Sequence, residues 1–376
     1  MAEVLTITIT YLTITTGIFW VGAALWLLVG LIRLKSANSE RYPKVSVLIA
    51  ARNEAGNITR CLTAMTRQDY PTERWELIVV DDNSTDETRS EVRAFRDKFH
   101  EMKMLSVDSP PVGVAPKKHA LTKGIMVAEG EIILTTDADC VPSTGWISSM
   151  VSHFEEGVDA VAGISPLAGK GLVGKLAGLD SLINAVVSAG SIGQGHPVTV
   201  AGRNFGFRRS SFLKIGGYGE NIHGASGDDD LLLQRISRHG GKVRFSSNIA
   251  AHVRSDAPPT LGAWWRMKRR HISAGKRYQP LFILISTMLY LFQVGLILMS
   301  IITIMGNLSV EFFLIVLGLK VAVDMATVTK GALIMSARKW LFPFVIAELI
   351  SPFLFAILIP AAMVGKIRWK GRELDR

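Results

Sequence analysis

An α/β fold with a mostly parallel central sheet, carrying transmembrane helices at its N- and C-terminal ends, is what this sequence predicts. Three observations carry the prediction. Short β-branched runs alternate with helix-like stretches from Val45 onward, acids gather directly after three of those runs, and charge-free apolar stretches stand towards both ends of the chain. Alternating strands and helices argue for a parallel sheet covered by helices. Ligands on such sheets bind beyond the carboxyl ends of the strands.

The elements follow in chain order. Residues 4–32 carry no charge, which exceeds the roughly 20 apolar residues needed to cross a bilayer. No basic residue precedes this run, it is too long for the apolar part of a signal peptide, and Arg33 and Lys35 follow it. A retained anchor over 1–34 is therefore expected. The basic stretch behind it puts the N-terminus outside and the next domain, 43–255, in the cytoplasm of an inner- or plasma-membrane protein. Within that domain VSVLIA (45–50), WELIVV (75–80), EIILTT (131–136) and VDAVAGI (158–164) read as strands. Residues 57–67, 86–99 and 117–128 read as helices, with Asn57 and Asp86 as N-caps.

Residues 256–278 read as an amphipathic interfacial segment, and 279–365 as membrane-embedded helices. Residues 278–310 are uncharged, 312–329 carry Lys320 and Asp324, and 341–365 carry Glu348 and three prolines. Lys320 and Asp324 are four apart and can pair on one helix face. Four crossings would leave the basic tail, 366–376, outside, against the charge rule. The segment expected not to cross is 341–365, a re-entrant or broken helix interrupted by Pro343, Pro352 and Pro360.

Composition narrows the class. Hydrophobic residues make up 48% and the mean hydropathy is +0.29. The formal charge of +10 does not point to nucleic acid. Its Lys and Arg cluster beside the apolar runs, as in WWRMKRRHISAGKRY (264–278), mixed with the Trp and Tyr of membrane edges. No nucleic-acid-binding module accompanies them. Cys61 and Cys140 make no disulfide framework and suit a reducing compartment. A cytoplasmic domain also makes the glycosylation sequons at Asn57 and Asn83 irrelevant. Neither zinc-ligand spacing nor a G-x-x-x-x-G-K-[ST] phosphate loop occurs.

Three strand ends deliver acids: Glu54 after VLIA, Asp81-Asp82 after LIVV, and Asp137-Ala138-Asp139 after IILTT. Asp137 and Asp139 are two apart, so they project the same way. Gathered carboxylates need a counter-charge, either a metal ion or cationic side chains. An all-oxygen donor set suits Mg²⁺ or Mn²⁺, which share their shell with substrate phosphates. Lys117 and Lys118 are the cationic alternative, with a solvated helix start as their other reading.

VSVLIAARNEAGNITRCL, WELIVVDDNSTDET, PKKHALTKGI, EIILTTDADC and GDDDLLLQR stand in the order and spacing of family-2 glycosyltransferases, and the chain resembles that family over about residues 43–275. The resemblance implies a Rossmann-like nucleotide-sugar-binding domain. It places Glu54, Asp82 and Lys117 at the nucleotide, with Asp82 accepting from the base. Asp137 lies by the nucleotide sugar and shares the metal site with Asp139, which holds the divalent ion on the diphosphate. In GASGDDDLLLQRI, Gly227, Leu232 and Arg235 match the family pattern, which puts Asp228 at its Glu and Asp229 at its catalytic Asp, the general base. The acidic first turn of a helix is the other reading of Asp228-Asp229-Asp230. Asn204 and Arg208, in AGRNFGFRRSSFLKIGGYGE, resemble the acceptor-side loop, with packing or solvent exposure as the alternative.

The family's Q-x-x-R-W is reduced here to Met267-Lys268-Arg269-Arg270-His271, of which only Arg270 survives as a donor-binding residue. That loss and the small number of spans weigh against a processive polysaccharide synthase. The expected activity is transfer of one sugar, with inversion, from a nucleotide-linked donor (UDP-linked) to a lipid-like acceptor at the cytoplasmic membrane face. A non-catalytic scaffold and a nucleotidyltransferase are the competing classes.

Overall fold

The computed structural model describes residues 2–37, 39–223, 227–364, 367–369 and 372–374. The chain opens with helix α1 (Ala2–Ile32), then β1 (Val45–Ala51), α2 (Asn57–Met65), β2 (Trp75–Asp81), α3 (Thr88–Arg93) and β3 (Met102–Ser106). Next come α4 (Pro116–Val127), β4 (Ile132–Asp137), β5 (Cys140–Pro142), α5 (Trp146–Val151), β6 (Val158–Gly163) and β7 (Leu167–Ala168). There follow α6 (Gly171–Gly193), β8 (Phe205–Arg208), α7 (Arg209–Lys214), α8 (Asp230–Arg238), β9 (Lys242–Ser246) and β10 (Val253–Asp256). The last part holds α9 (Leu261–Ala274), α10 (Pro280–Ile304), α11 (Val310–Ile334), α12 (Leu341–Met363) and a ribbon of β11 (Ile367–Trp369) and β12 (Arg372–Leu374). The rest of the basic tail 366–376 lies outside the described residues.

Seven strands form the main sheet in the order β3-β2-β1-β4-β8-β6-β9. All its pairings are parallel except those of β8, which is antiparallel to β4 and β6. β5, β10 and β7 make a small second sheet. Every residue of β2 is buried, as expected of a parallel strand covered on both faces. Side-chain alternation divides the interior. Val47, Ile49, Leu77 and Val79 pack with α2 and α5, while Leu48, Ile78 and Val80 pack with α4, α6 and α8.

All four strands predicted from the sequence are present. The predicted helix 86–99 is shorter: α3 ends at Arg93 and a 3-10 turn, Arg96–Lys98, follows. Val92 and Phe95, three apart, are both in the core. Neither expected N-cap is one. Asn57 is already helical, behind Gly56 at a φ of 80°. The residue before α3 is Glu87, while Asp86 accepts from the Thr88 N–H and hydroxyl and from the Ala55 N–H, tying two loops together.

Five described helices are long and apolar enough to cross a membrane: α1, α6, α10, α11 and α12. The sequence reading did not set α6 apart from the domain around it. α6 is half buried inside the protein and packs on α1 with almost no side chain between. A Cβ added at Gly30 would stand 1.8 Å from the Gly190 carbonyl oxygen, so the two backbones meet directly.

The segment 341–365, expected to be re-entrant or broken, contains one helix without a break, α12. Pro343 falls in its first turn, where no helical N–H is lost, and Pro352 and Pro360 lie inside it. α12 touches the rest of the fold at three levels. Gly178 of α6 faces the Trp340 ring, Leu354 packs with Trp264, and Arg269 of α9 donates to the carbonyls of Ala361 (2.8 Å) and Val364 (2.5 Å).

Candidate active site

The loops after β1 and β2 build one wall of the site and hold each other in shape. Asn53 and Asn83 take left-handed conformations, at φ 50° and 56°, which Asn tolerates better than other side-chain-bearing residues. The Asn53 side chain accepts from the Thr85 N–H, and the Asn53 N–H donates to Ser84. The Glu54 N–H donates to the Thr88 hydroxyl at 2.7 Å. The two acids of the pair divide their work. Asp81 is 1% exposed and bound by Arg89 and the Ser84 N–H, whereas Asp82 faces the cavity with Arg52 3.9 Å away.

At the end of β4, Ala138 turns inward, 1% exposed, and leaves Asp137 and Asp139 on the open side. Lys117 enters from the first turn of α4, just after Pro116, whose fixed φ suits a helix start. Its ammonium lies 2.8 Å from Asp137 and 2.8 Å from Asp228, so one cation joins β4 to the acids before α8. Burial would lower the Lys117 pKa, but the two carboxylates outweigh it and hold the pKa well above the usual value. Burial likewise opposes ionisation of Asp137, yet Lys117, Arg203 and Arg270 keep it below the usual carboxylate range. Lys118 does something different: it is 1% exposed, donates to the Asn221 carbonyl at 2.5 Å, and burial pushes its pKa down to about 8.

The three acids of the Asp-Asp-Asp run have separate surroundings. Asp228 pairs with Lys117. Asp230 accepts from the Thr199 hydroxyl, the Val200 N–H and the Tyr278 hydroxyl at 2.9, 2.7 and 2.5 Å. Asp229 caps α8 by accepting from the Asp230 N–H at 2.8 Å. Its other carboxylate oxygen lies against Gly202, where an added Cβ would come within 2.5 Å of it. Burial, then Asp230 and Asp228, pushes the Asp229 pKa well above the ordinary value.

One cavity of about 390 Å³ takes in Glu54, Asp82, Lys117, Asp137, Asp139, the three acids 228–230 and Arg270. That volume lies within the range of small-molecule sites. Two expected acceptor-side residues are elsewhere. Asn204 is fully buried, donating to the Ile164 and Ala251 carbonyls and accepting from the Trp146 indole. Arg208 binds the backbone carbonyls of Val158, Phe154 and Glu155 and pairs with Glu131. Neither lines the cavity. Residues the sequence reading passed over do: Arg203, hydrogen-bonded to Ser165, Tyr278, and a polar stripe on α6. On α9, Met267 and His271 line it beside Arg270. The His271 side chain is exposed at the cavity wall, and partial loss of water there, with the cations Arg270, Lys268 and Arg203, holds its pKa below the usual imidazole value.

Comparison with known proteins gives the family. The glycosyl transferase family 2 profile matches residues 46–216, and the glycosyl transferase family group 2 profile matches residues 132–364. The chain belongs to the family-2 glycosyltransferases. This family-2 chain is 33% identical to the probable glycosyltransferase YdaM of Bacillus subtilis (strain 168), across 62% of its own length and 55% of that protein. It is 25% identical to the beta-monoglucosyldiacylglycerol synthase of Synechocystis sp., across 64% of its length and 50% of that enzyme. The chain thus spans about half the length of curated relatives it matches. Among solved structures, a mannosyltransferase from Pyrobaculum calidifontis, captured with GDP-Man and Mn²⁺, superposes with a TM-score of 0.58 at 20% identity, covering 95% of this chain and 99% of that one. At that identity the likeness concerns the fold.

Proposed function

We propose that this protein is a membrane-bound inverting glycosyltransferase that moves one sugar from a nucleotide-sugar donor, UDP-linked, to a hydroxyl of a lipid-anchored acceptor at the cytoplasmic membrane face. The observation that carries the reading is the gathering of acids from three strand ends and from the cap of α8 in one cavity, walled by α6 and α9 beside the apolar helices. The likeness to the Synechocystis beta-monoglucosyldiacylglycerol synthase supports a lipid acceptor.

Sheet order sets the direction of the site. β2 and β1 supply Asp82, Arg52 and Glu54 for the nucleotide, β4 supplies Asp137 and Asp139, and Gly202 and Asp229 stand beyond it on the β8 side. Asp229 takes the proton of the acceptor hydroxyl as its oxygen bonds to the anomeric carbon. The bond from that carbon to the diphosphate breaks on the opposite face, which inverts the centre and releases the nucleoside diphosphate. Arg203 and Arg270 line the cavity with Asp137 and would offset the charge that develops on the leaving group.

The ligand atoms of Asp137, Asp139 and Cys140 lie within 4.8 Å of one another. The Cys140 thiol is buried, with its pKa pushed well above normal by burial and by Asp137 and Asp139, so it remains protonated and is a poor ligand. Two carboxylates facing an open cavity fit a hard divalent ion that completes its shell with donor phosphate. Asp139, with Asp137, would hold Mg²⁺ or Mn²⁺, which neutralises diphosphate charge.

Incubating membranes with radiolabelled UDP-glucose, UDP-N-acetylglucosamine and GDP-mannose, with either metal or a chelator, tests the reading. A singly glycosylated labelled lipid is expected. Long labelled chains would favour a polymer synthase, release of pyrophosphate a nucleotidyltransferase, and full cellular function of Asp229→Asn a scaffold.

A further inference from the structure

α6 is apolar enough to cross a membrane, yet it carries Asp180, Ser181, Asn184 and Ser188. At 3.6 residues per turn these positions fall on one face, and all four line the cavity. α6 follows β6 and β7 in the chain, and β6 lies on the far side of β4 from β1 and β2. At about 4.8 Å per strand, β6 stands roughly 19 Å from β2, well beyond the strand ends that carry Asp82 and Asp137.

Two details set this stripe apart from helix packing. Ser188 is 2% exposed and its hydroxyl has no hydrogen-bond partner, although it borders the cavity. Asn184, one turn earlier, is exposed on a helix whose other exposed positions include apolar side chains such as Leu172. The stripe's charges cancel, because Lys268 of α9 closes on Asp180 at 2.5 Å. The cavity's other cations gather at the strand-end acids: Lys117 pairs with Asp137 and Asp228, Arg52 lies 3.9 Å from Asp82, and Arg203 and Arg270 act on Asp137. A phosphate-bearing acceptor would find neutral hydroxyl and amide groups here, whereas an uncharged head with a free hydroxyl and ester carbonyls would find partners for its donor and acceptors.

Building on the glycosyltransferase reading, we propose that Asn184 and Ser188 form the acceptor head-group subsite, and that it selects an uncharged lipid head bearing a free hydroxyl. The subsite orders the head group so that one hydroxyl is presented to Asp229. The orphaned Ser188 hydroxyl gains its missing partner from the ligand.

The test uses the full chain in phosphatidylcholine nanodiscs and a diazirine-bearing diacylglycerol as the probe. Photolabelling is expected on peptides of α6 and α9, displaced by dioleoylglycerol and not by undecaprenyl phosphate. Asn184→Leu is expected to lower labelling about tenfold, and Ser188→Ala about fivefold, the equivalent of one hydrogen bond. Ser188→Ala removes an unpartnered buried hydroxyl, so its thermal melt should match the wild type. Equal labelling of wild type and both variants, labelling confined to other elements, or displacement by undecaprenyl phosphate would overturn the subsite. Labelling does not need turnover. If no nucleotide sugar is consumed, the transferase reading falls while the labelling pattern still decides the subsite.

Discussion

As the general base proposed above, Asp229 would serve chemistry at a cost in stability. Burial and two neighbouring acids raise its pKa above the ordinary value of 3.8. The folded state therefore holds this proton more tightly than the unfolded chain. That contribution is fully present below the unfolded pKa and is lost as pH rises through the folded one, so at neutral pH the ionised carboxylate works against folding. Asparagine caps helices as well as aspartate. Asp229→Asn should therefore melt higher than the wild type at pH 8, with the gap closing towards pH 4, while kcat falls by about 10²–10⁴. Thermal melts across pH and initial-rate measurements check both halves. For the wild type, kcat/KM should rise with pH along an acid limb placed above the normal carboxylate range, since only the ionised base accepts the acceptor's proton. A limb at or below pH 4 would show that another group is the base.

At the scale of elements, α12 makes the sharpest prediction. It contacts the protein near its start through Trp340, in the middle through Leu354 and at its end through Arg269. A helix that left the catalytic domain directly for the far side of a membrane would touch it at one end. Single cysteines at Ala337 and Met363 should both react with a membrane-impermeant maleimide from the cytoplasmic side; labelling from opposite sides would mean that α12 crosses. Cys61 and Cys140 are buried and contribute little background. The elements readable in the sequence share one property: β1, β2, β4 and β6 are dense, mostly buried β-branched runs. β8 is four residues long and β9 mixes Lys and Arg with its apolar residues, so neither announces itself. α6 hides because glycine, alanine and serine blur its contrast with the loops around it. The acids of the cavity were legible because each follows a strand or opens a helix. Tyr278 and Arg203 were not, because their arrival there depends on how distant elements pack. Asn204 and Arg208 misled for the same reason: a polar residue in a suitable loop can equally well bind buried carbonyls.

Across the whole molecule, the apolar helices are tied to one another by charge as well as by fit. The expected Lys320–Asp324 pair forms at 3.1 Å, and it belongs to a larger cluster. Lys320 also contacts Glu348 of α12, and the Trp20 indole of α1 donates to Asp324 at 2.9 Å. Lys320→Met would leave two acids in an apolar bundle without their cation, at a cost of about 3–5 kcal/mol. Adding Asp324→Asn and Glu348→Gln should recover most of it, as read by thermal denaturation in detergent; equal losses in the single and triple variants would mean that the cluster is not energetically coupled. α6 links this bundle to the chemistry. Its Gly190 face is wedged against α1 while Asn184 and Ser188 look the other way, into the cavity. A turn of one residue is about 100°, enough to unseat both faces together. The rod is consequently locked in azimuth, and any retuning of the proposed subsite has to come from exchanging side chains on a fixed cylinder, never from rolling it.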